Sequence, residues 1–274
     1  MGKGESSKIV LVIGGNAGHG KDTFGEMLQE IFTSWASARL DSYAYTLKEI
    51  AHLSLGIPWE ILTANKDVKE STFVSIAGEK TEITVRQALQ KIGQWNRNTF
   101  GYLIWADSVR RRAQFANERV TIVTDARHPK EEIHWMRESC GEFARVFVVR
   151  VRNSRIAVKR GHPSEDLIVD EPDKSFDFLV ENEGTLNDLQ IQAQELACAM
   201  VVLVKNGRKK IKRKEHGWGV FNDSGRMVCE PLLSQDDAES AARHYDETTA
   251  SLQPMGPHSI RELTFNRLRG EACV

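Results

Sequence analysis

Ile9-Val10-Leu11-Val12-Ile13-Gly14-Gly15-Asn16-Ala17-Gly18-His19-Gly20-Lys21-Asp22-Thr23 is the stretch that decides the fold class. Its first five residues are an apolar, β-branched run without polar alternation, as expected for a parallel strand covered on both faces. Glycines follow at once. From Thr23 to Phe32 the apolar residues Phe24, Met27, Leu28, Ile31 and Phe32 recur at helical spacing. A strand, a glycine-rich turn and a helix in this order open an α/β domain.

The turn itself fits G-x-x-x-x-G-K, with the threonine one place later than usual. Glycines allow main-chain N–H groups to converge, and together with the helix N-terminus they form a cradle for phosphate oxygens. Gly15, Asn16, Ala17, Gly18, His19, Gly20, Lys21, Asp22 and Thr23 are therefore the candidate nucleotide-binding residues, with ATP and Mg2+ as the cofactors. Lys21 would reach the phosphates as a point charge. Thr23 would meet the phosphate chain, and Asp22 stands where a neutral hydroxyl ligand of magnesium is usual. A glycine turn that binds nothing, or a dinucleotide-binding turn in which Lys21 would be redundant, fits the flanking strand and helix less well.

Working outward, Ser37–Tyr45 reads as a second strand and Leu47–Leu55 as a helix. Residues 58–83 are mixed and polar and read as an insertion. Val85–Ile92 and Tyr102–Phe115 are predicted helices, the second ending in Arg110, Arg111 and Arg112. Arg119–Thr124 is predicted as a buried strand, Lys130–Glu138 as a helix, Ala144–Val151 as a strand and Leu186–Leu203 as a helix. Alternation of this kind predicts a three-layer α/β fold with a parallel sheet and helices on both faces; taken with the glycine turn, the expectation is a fold of the P-loop kinase type. That domain would span residues 1–204. A basic linker over 205–214 and a small C-terminal appendage over 215–274 would follow. In the appendage, Gly217–Asn222 and Arg226–Cys229 read as a hairpin, Gln235–Thr248 as a helix, and the chain from about 251 as a ragged tail.

Val120-Thr121-Ile122-Val123-Thr124-Asp125 places an acid at the strand end where such sheets bind ligands. Asp125 there could orient magnesium, its water or an attacking hydroxyl, or cap the next helix. The candidate metal ligands are thus Asp22, Thr23 and Asp125. Arg127 stands two residues on, where it could meet an acceptor phosphate.

Several segments resemble phage deoxynucleoside monophosphate kinases. They are Gly-Lys-Asp-Thr at 20–23, Tyr45-Thr46-Leu47-Lys48, Arg86 to Gly93, Thr124 to Glu131, His162-Pro163-Ser164-Glu165 and Phe178 to Leu189. The resemblance covers about residues 8–200; only the glycine turn is specific alone, and the rest count through order and spacing. It implies phosphoryl transfer from ATP to a deoxynucleoside monophosphate. Lys48, Arg86, Gln90, Asp125 and Arg127 would line the acceptor side. Arg150 and Arg152 would open a basic lid continued by Arg155, Lys159 and Arg160, with Lys21, Asp125, Arg127 and Arg150 carrying the chemistry. The region also holds Trp95, Arg97 and Trp105. Trp95 could stack on an acceptor base, although a tryptophan more often fills a core. Related phage enzymes phosphorylate 5-hydroxymethyluracil within DNA, a second implied acceptor for which Asp125 would serve as base.

The chain of 274 residues is 41% apolar and 27% charged, ordinary for a globular protein. Its 37 basic and 38 acidic side chains nearly balance. Seven of the ten residues from Lys205 to Lys214 are basic, a candidate DNA contact or a solvated linker. Trp218 and Phe221 read as appendage core. Cys140, Cys198, Cys229 and Cys273 lack disulfide or zinc spacing, which points to a reduced cytoplasmic chain, in a host cell if phage-encoded. No apolar segment is long enough for a membrane partner. The oligomeric state stays open, a homodimer included.

Overall fold

The computed structural model describes residues 8–34, 36–75, 82–157, 163–205, 215–221 and 259–265. In chain order it contains β1 (Lys8–Gly14), α1 (Lys21–Thr33), β2 (Ala38–Asp41), α2 (Ala44–Leu55), α3 (Trp59–Thr63), α4 (Lys66–Ser71), β3 (Phe73–Val74) and β4 (Ile83–Thr84). Then come α5 (Val85–Phe100), α6 (Ile104–Phe115), β5 (Val120–Ala126), α7 (Trp135–Cys140), β6 (Ala144–Arg152), α8 (Pro163–Asp170), β7 (Phe178–Glu181) and α9 (Leu186–Lys205). A two-stranded ribbon of β8 (Glu215–Phe221) and β9 (Ser259–Phe265) completes the described chain.

The main sheet is parallel throughout, in the order β2-β5-β1-β6-β7. β1 explains why both faces must be covered. Ile9, Leu11 and Ile13 point into one core with Phe24, Leu28 and Phe32 of α1 and Leu196 and Met200 of α9. Val10 and Val12 point into the opposite core with Trp105 and Val109 of α6 and Met136 of α7. Strand alternation thus feeds two apolar layers, and the unbroken apolar run follows from that. The strands β2 and β5 lie on one side of β1 and the later β6 and β7 on the other, so the order switches sides at β1, and the carboxyl ends of β1, β5 and β6 are the place where such sheets bind ligands.

Local chemistry sets several boundaries that differ from the sequence reading. The second strand stops at Asp41 because Asp125 accepts the main-chain N–H groups of Tyr43 and Ala44, which starts α2 early. The insertion at 58–83 holds α3, α4 and the β3–β4 ribbon, and a third apolar cluster of Ala51, Ile57, Leu62 and Val85 anchors it. A capping box between Thr84 and Gln87 starts α5, which continues eight residues beyond Ile92 to Phe100. The helix after β5 opens as a wide π-helical turn, Pro129–His134.

The C-terminal region needs a larger correction. β8 pairs antiparallel with β9, from Glu215 opposite Phe265 to Phe221 opposite Ser259. Part of the expected tail is therefore a strand, and β8 finds a partner far along the chain, beside α9. The expected strand Arg226–Cys229, the helix Gln235–Thr248 and the basic run after Lys205 lie outside the described residues. Cys140 and Cys198 are buried, and neither is in a disulfide. Among the described residues no helix is long and apolar enough to cross a membrane.

Candidate active site

The turn between β1 and α1 owes its shape to residues that cannot be exchanged for bulkier ones. Gly15 has φ +146, and a Cβ there would overlap the carbonyl oxygen of Val151 on β6. Gly20 is the N-cap of α1 in the left-handed region, φ +91, and a Cβ there would overlap the side-chain amide of Asn182. With no side chain at its cap, α1 presents its first-turn amides to whatever lies at that edge of the sheet. That end of the helix favours an anion.

The rest of the loop supports the same use. Lys21 is buried and donates from Nζ to the carbonyl of Asn16 at 2.7 Å, so its ammonium lies folded across the loop. Asn16 is also buried, and its side-chain Nδ2 has no hydrogen-bond partner among the described residues. An orphaned donor inside a cradle of glycines suits an oxygen-rich anion. The rim is closed by neighbours. The Nδ1 of buried His19 accepts the N–H of Asn153 at 3.3 Å, and Asn182 donates to the His19 carbonyl at 3.1 Å. Ile156 lies over Gly18. Ala17 and Gly18 face solvent, Asp22 is exposed, and Thr23 is half-buried in the first helical turn.

A second cluster, this one of cations, lies beside the carboxyl end of β5. Asp125 is placed there, and both of its oxygens are engaged: Oδ1 accepts from Tyr43 at 2.8 Å and Oδ2 from Ala44 at 3.1 Å. The acid therefore caps α2 and not the helix that follows it in sequence. Burial pushes its pKa up, opposed by those two amides and by the charges of Arg127 and Lys48. Lys69 in turn lies near both Lys48 and Arg86. Burial lowers the Lys69 pKa, and repulsion from Lys48 and Arg86 lowers it further. Arg86 is paired with Glu70 at 3.3 Å.

Helix geometry extends this basic cluster, here called the basic groove. Arg86, Gln90, Gly93 and Arg97 share one face of α5, with Arg97 about 20° round the axis from Arg86. Leu47 of α2 packs over Gly93, so this face looks toward α2 and Lys48. Arg97 reaches Glu132 at 3.8 Å, and the buried Glu132 accepts from the main-chain N–H groups of Arg127 and His128 at 2.7 and 2.9 Å. The arrangement brings Lys48, Arg86, Gln90, Asp125 and Arg127 to one region, together with Lys69, Arg97 and Glu132. Lys69 and Glu132 were not singled out from the sequence. Lys69 sits in the polar insertion, and Glu132 is one of two adjacent acids with nothing to distinguish it.

Three expected site residues are placed otherwise. Arg150 is not a lid cation. It is buried and donates to the carbonyls of Ile168 and Val169 at 2.9 and 3.0 Å, to that of Glu171 at 2.6 Å, and to Asp173 at 3.0 Å. Its guanidinium lies over Phe176, and burial brings its pKa down to about 10. Its contacts hold the carboxyl end of α8 against the sheet. Arg152 is tied down too, to Asp173 and to Glu181. Trp95 belongs neither to the core nor to the groove. It is 61% exposed, edge-on to Phe100, and about 180° round α5 from Arg86. Trp105 is the buried one. Arg155 is exposed; Lys159 and Arg160 lie outside the described residues.

For a magnesium ion, Thr23 and Asp22 lie in the right turn, whereas Asp125 already holds two amides. Among the described residues no group of three acidic, histidine or cysteine side chains forms a ready metal site. The chain's own ligands would thus be few, as is usual for an ion held largely by phosphates and water.

No family model and no curated protein matches the chain. Among solved structures it is similar to a gluconokinase from Sinorhizobium meliloti 1021, with a TM-score of 0.36 and 15% identity over 74% of this chain and 97% of that one. It is also similar to an unliganded sugar kinase from Janibacter sp. HTCC2649, with a TM-score of 0.30 and 15% identity over 68% and 91%. Likeness this remote carries no argument about chemistry. The chain is an α/β protein with a five-stranded parallel sheet, and the glycine turn after β1 and the Asp125–Arg127 segment leave neighbouring strands at the same carboxyl edge, where Gly14 lies opposite Ala126.

Proposed function

We propose that the chain is a kinase that moves the γ-phosphoryl group of ATP onto a nucleoside monophosphate, most naturally a deoxynucleotide. The observation that carries this reading is the pairing of two anion-seeking sites at one sheet edge. The cradle of Gly15 to Thr23 suits the triphosphate, and the groove with Lys48, Arg86, Arg97 and Arg127 suits a second phosphate. A donor and an acceptor that both carry phosphate need such a pair of sites.

Transfer of a phosphoryl group requires little covalent help from the protein and much positioning and charge stabilisation. Lys21 would leave the Asn16 carbonyl and follow the β- and γ-phosphate oxygens. First-turn amides of α1 and the side-chain amide of Asn16 would add donors. Mg2+ would supply charge neutralisation between the phosphates, with Thr23 or a water held by Asp22 as the protein's contribution. Asp125, whose carboxyl group is held by the start of α2, would orient the acceptor and fix the groove.

Purified protein with ATP, Mg2+ and each deoxynucleoside monophosphate should form the corresponding diphosphate from at least one of them. Absence of any diphosphate, with ATP bound, would reject the reading.

A second reading, transfer to 5-hydroxymethyluracil within DNA, draws support from one surface. Trp95, Phe100 and Tyr102 are each more than 60% exposed near the end of α5, the kind of aromatic surface on which strand bases stack. The basic run from Lys205 to Lys214 would add phosphate contacts. Label passing from γ-labelled ATP into hydroxymethyluracil-containing DNA, but not into free nucleotides, would select this reading.

A further inference from the structure

Glu132 has only 3% of its surface exposed and lies in the wide turn after β5. Its two carboxylate oxygens have different partners. Oε2 accepts both the Arg127 and His128 main-chain N–H groups. Oε1 faces the guanidinium of Arg97 at 3.8 Å, beyond direct hydrogen-bond length. The main-chain carbonyl of Glu132 accepts the Tyr43 hydroxyl at 2.6 Å, and the Tyr43 N–H is held by Asp125. The charged and titratable groups around the side chain are thus Asp125 of β5, Arg97 of α5, Tyr43 ahead of α2, and Arg127 and His128 of its own segment. Burying a carboxyl group is costly, and the groups that offset the cost here are the main-chain N–H groups of Arg127 and His128 and the guanidinium of Arg97.

We infer that Glu132 is the positioning residue of that groove: one buried side chain fixes the main chain that carries Arg127 and faces the guanidinium of Arg97, so that cations from two elements are set relative to a single carboxyl group. The inference rests on the reading of the groove as the seat of the acceptor phosphate. The split between the oxygens gives it a further consequence. A proton on Oε1 leaves both amides on Oε2 and removes only the counter-charge of Arg97. Burial raises the Glu132 pKa to about 7, so this exchange falls at neutral pH. An incoming phosphate near Arg97 and a proton on Glu132 therefore favour each other.

Steady-state kinetics of the full chain in both substrates test this with Glu132→Ala and Glu132→Gln. The alanine variant strands two main-chain donors and should raise the acceptor KM about tenfold, roughly 1.4 kcal/mol, with the ATP KM within about twofold. The glutamine variant keeps an oxygen for both amides and carries no charge. Its acceptor kcat/KM should match the wild type at about pH 6 and exceed it at about pH 8, because only the wild type ionises through about 7. The ionisation of the monophosphate itself, near pH 6, is common to both proteins. Equal rises in both KM values, no change in either, or a wild-type pH profile in Glu132→Gln would each overturn the inference. Should Glu132→Ala not fold, the glutamine profile decides alone. If the wild type turns over no monophosphate, the kinase reading fails, and inorganic phosphate binding then judges the positioning role. Phosphate binding about tenfold weaker in Glu132→Ala than in Glu132→Gln would support that role; equal binding would overturn it.

Discussion

Gly20 and Asn182 are in contact across the mouth of the cradle: the side-chain amide of Asn182 occupies the space a Cβ at Gly20 would need, and it donates to the neighbouring His19 carbonyl. The end of β7 thereby braces the start of α1. Gly20→Ala should cost about 1–2 kcal/mol from the left-handed backbone alone, with the overlap added. Urea unfolding should show that loss, and ATP affinity should fall with it. Asn182→Ala should relieve the overlap in the double variant but not the backbone cost, leaving Gly20→Ala/Asn182→Ala partly recovered.

Arg150 gives a prediction opposite to that for a lid arginine. Arg150→Met leaves carbonyls of Ile168, Val169 and Glu171 without their donor. Stability should fall by about 1–3 kcal/mol, the cost of stranding buried polar groups. At a temperature where the variant is folded, kcat should remain near the wild-type value. A kcat loss of a hundredfold without any loss of stability would return Arg150 to the reaction.

Glu132 should also leave a mark on stability against pH. Its native pKa, about 7, is above the ordinary 4.5, so between those values the native state holds a proton that the unfolded chain has released. Its contribution is full below the ordinary pKa and is lost as pH rises through about 7. Buried Asp125, also raised, acts in the same direction. Denaturant unfolding across that range should show the wild type losing stability relative to Glu132→Gln as pH rises.

The sequence revealed the glycine turn, α1 and the strands β1, β5 and β6, because each is a buried apolar run, an amphipathic repeat or a turn with demanding backbone geometry, and it located β2 with bounds too long; β7, a four-residue strand at the sheet edge, was missed because so short a run carries little periodicity. It also assigned Lys48, Arg86, Gln90, Asp125 and Arg127 to one region, where the structure gathers them. Other features were hidden for physical reasons. In β6 both faces are buried, so alternation could not tell that Arg150 points inward to α8. The angular position of Trp95 depended on α5 continuing past Ile92, which the capping box at Thr84 does not reveal. Lys69 lay in an insertion without strong periodicity, and its approach to Lys48 and Arg86 is a tertiary contact. β8 paired with a strand 38 residues beyond its end, a separation at which local pattern carries no pairing signal.

The central claim is that the loop from Gly15 to Thr23 holds the phosphates of ATP, with Lys21 among its donors. Calorimetric titration of the full chain with ATP and Mg2+, beside Lys21→Ala, tests it most directly, with turnover followed in the same samples. Saturable binding by the wild type is expected, and loss of Lys21 should lower kcat by roughly 10²–10³-fold, or about 2.7–4 kcal/mol, as for removal of a preorganised donor. Equal ATP affinity and equal turnover in the two proteins, or no ATP binding by the wild type, would contradict the account.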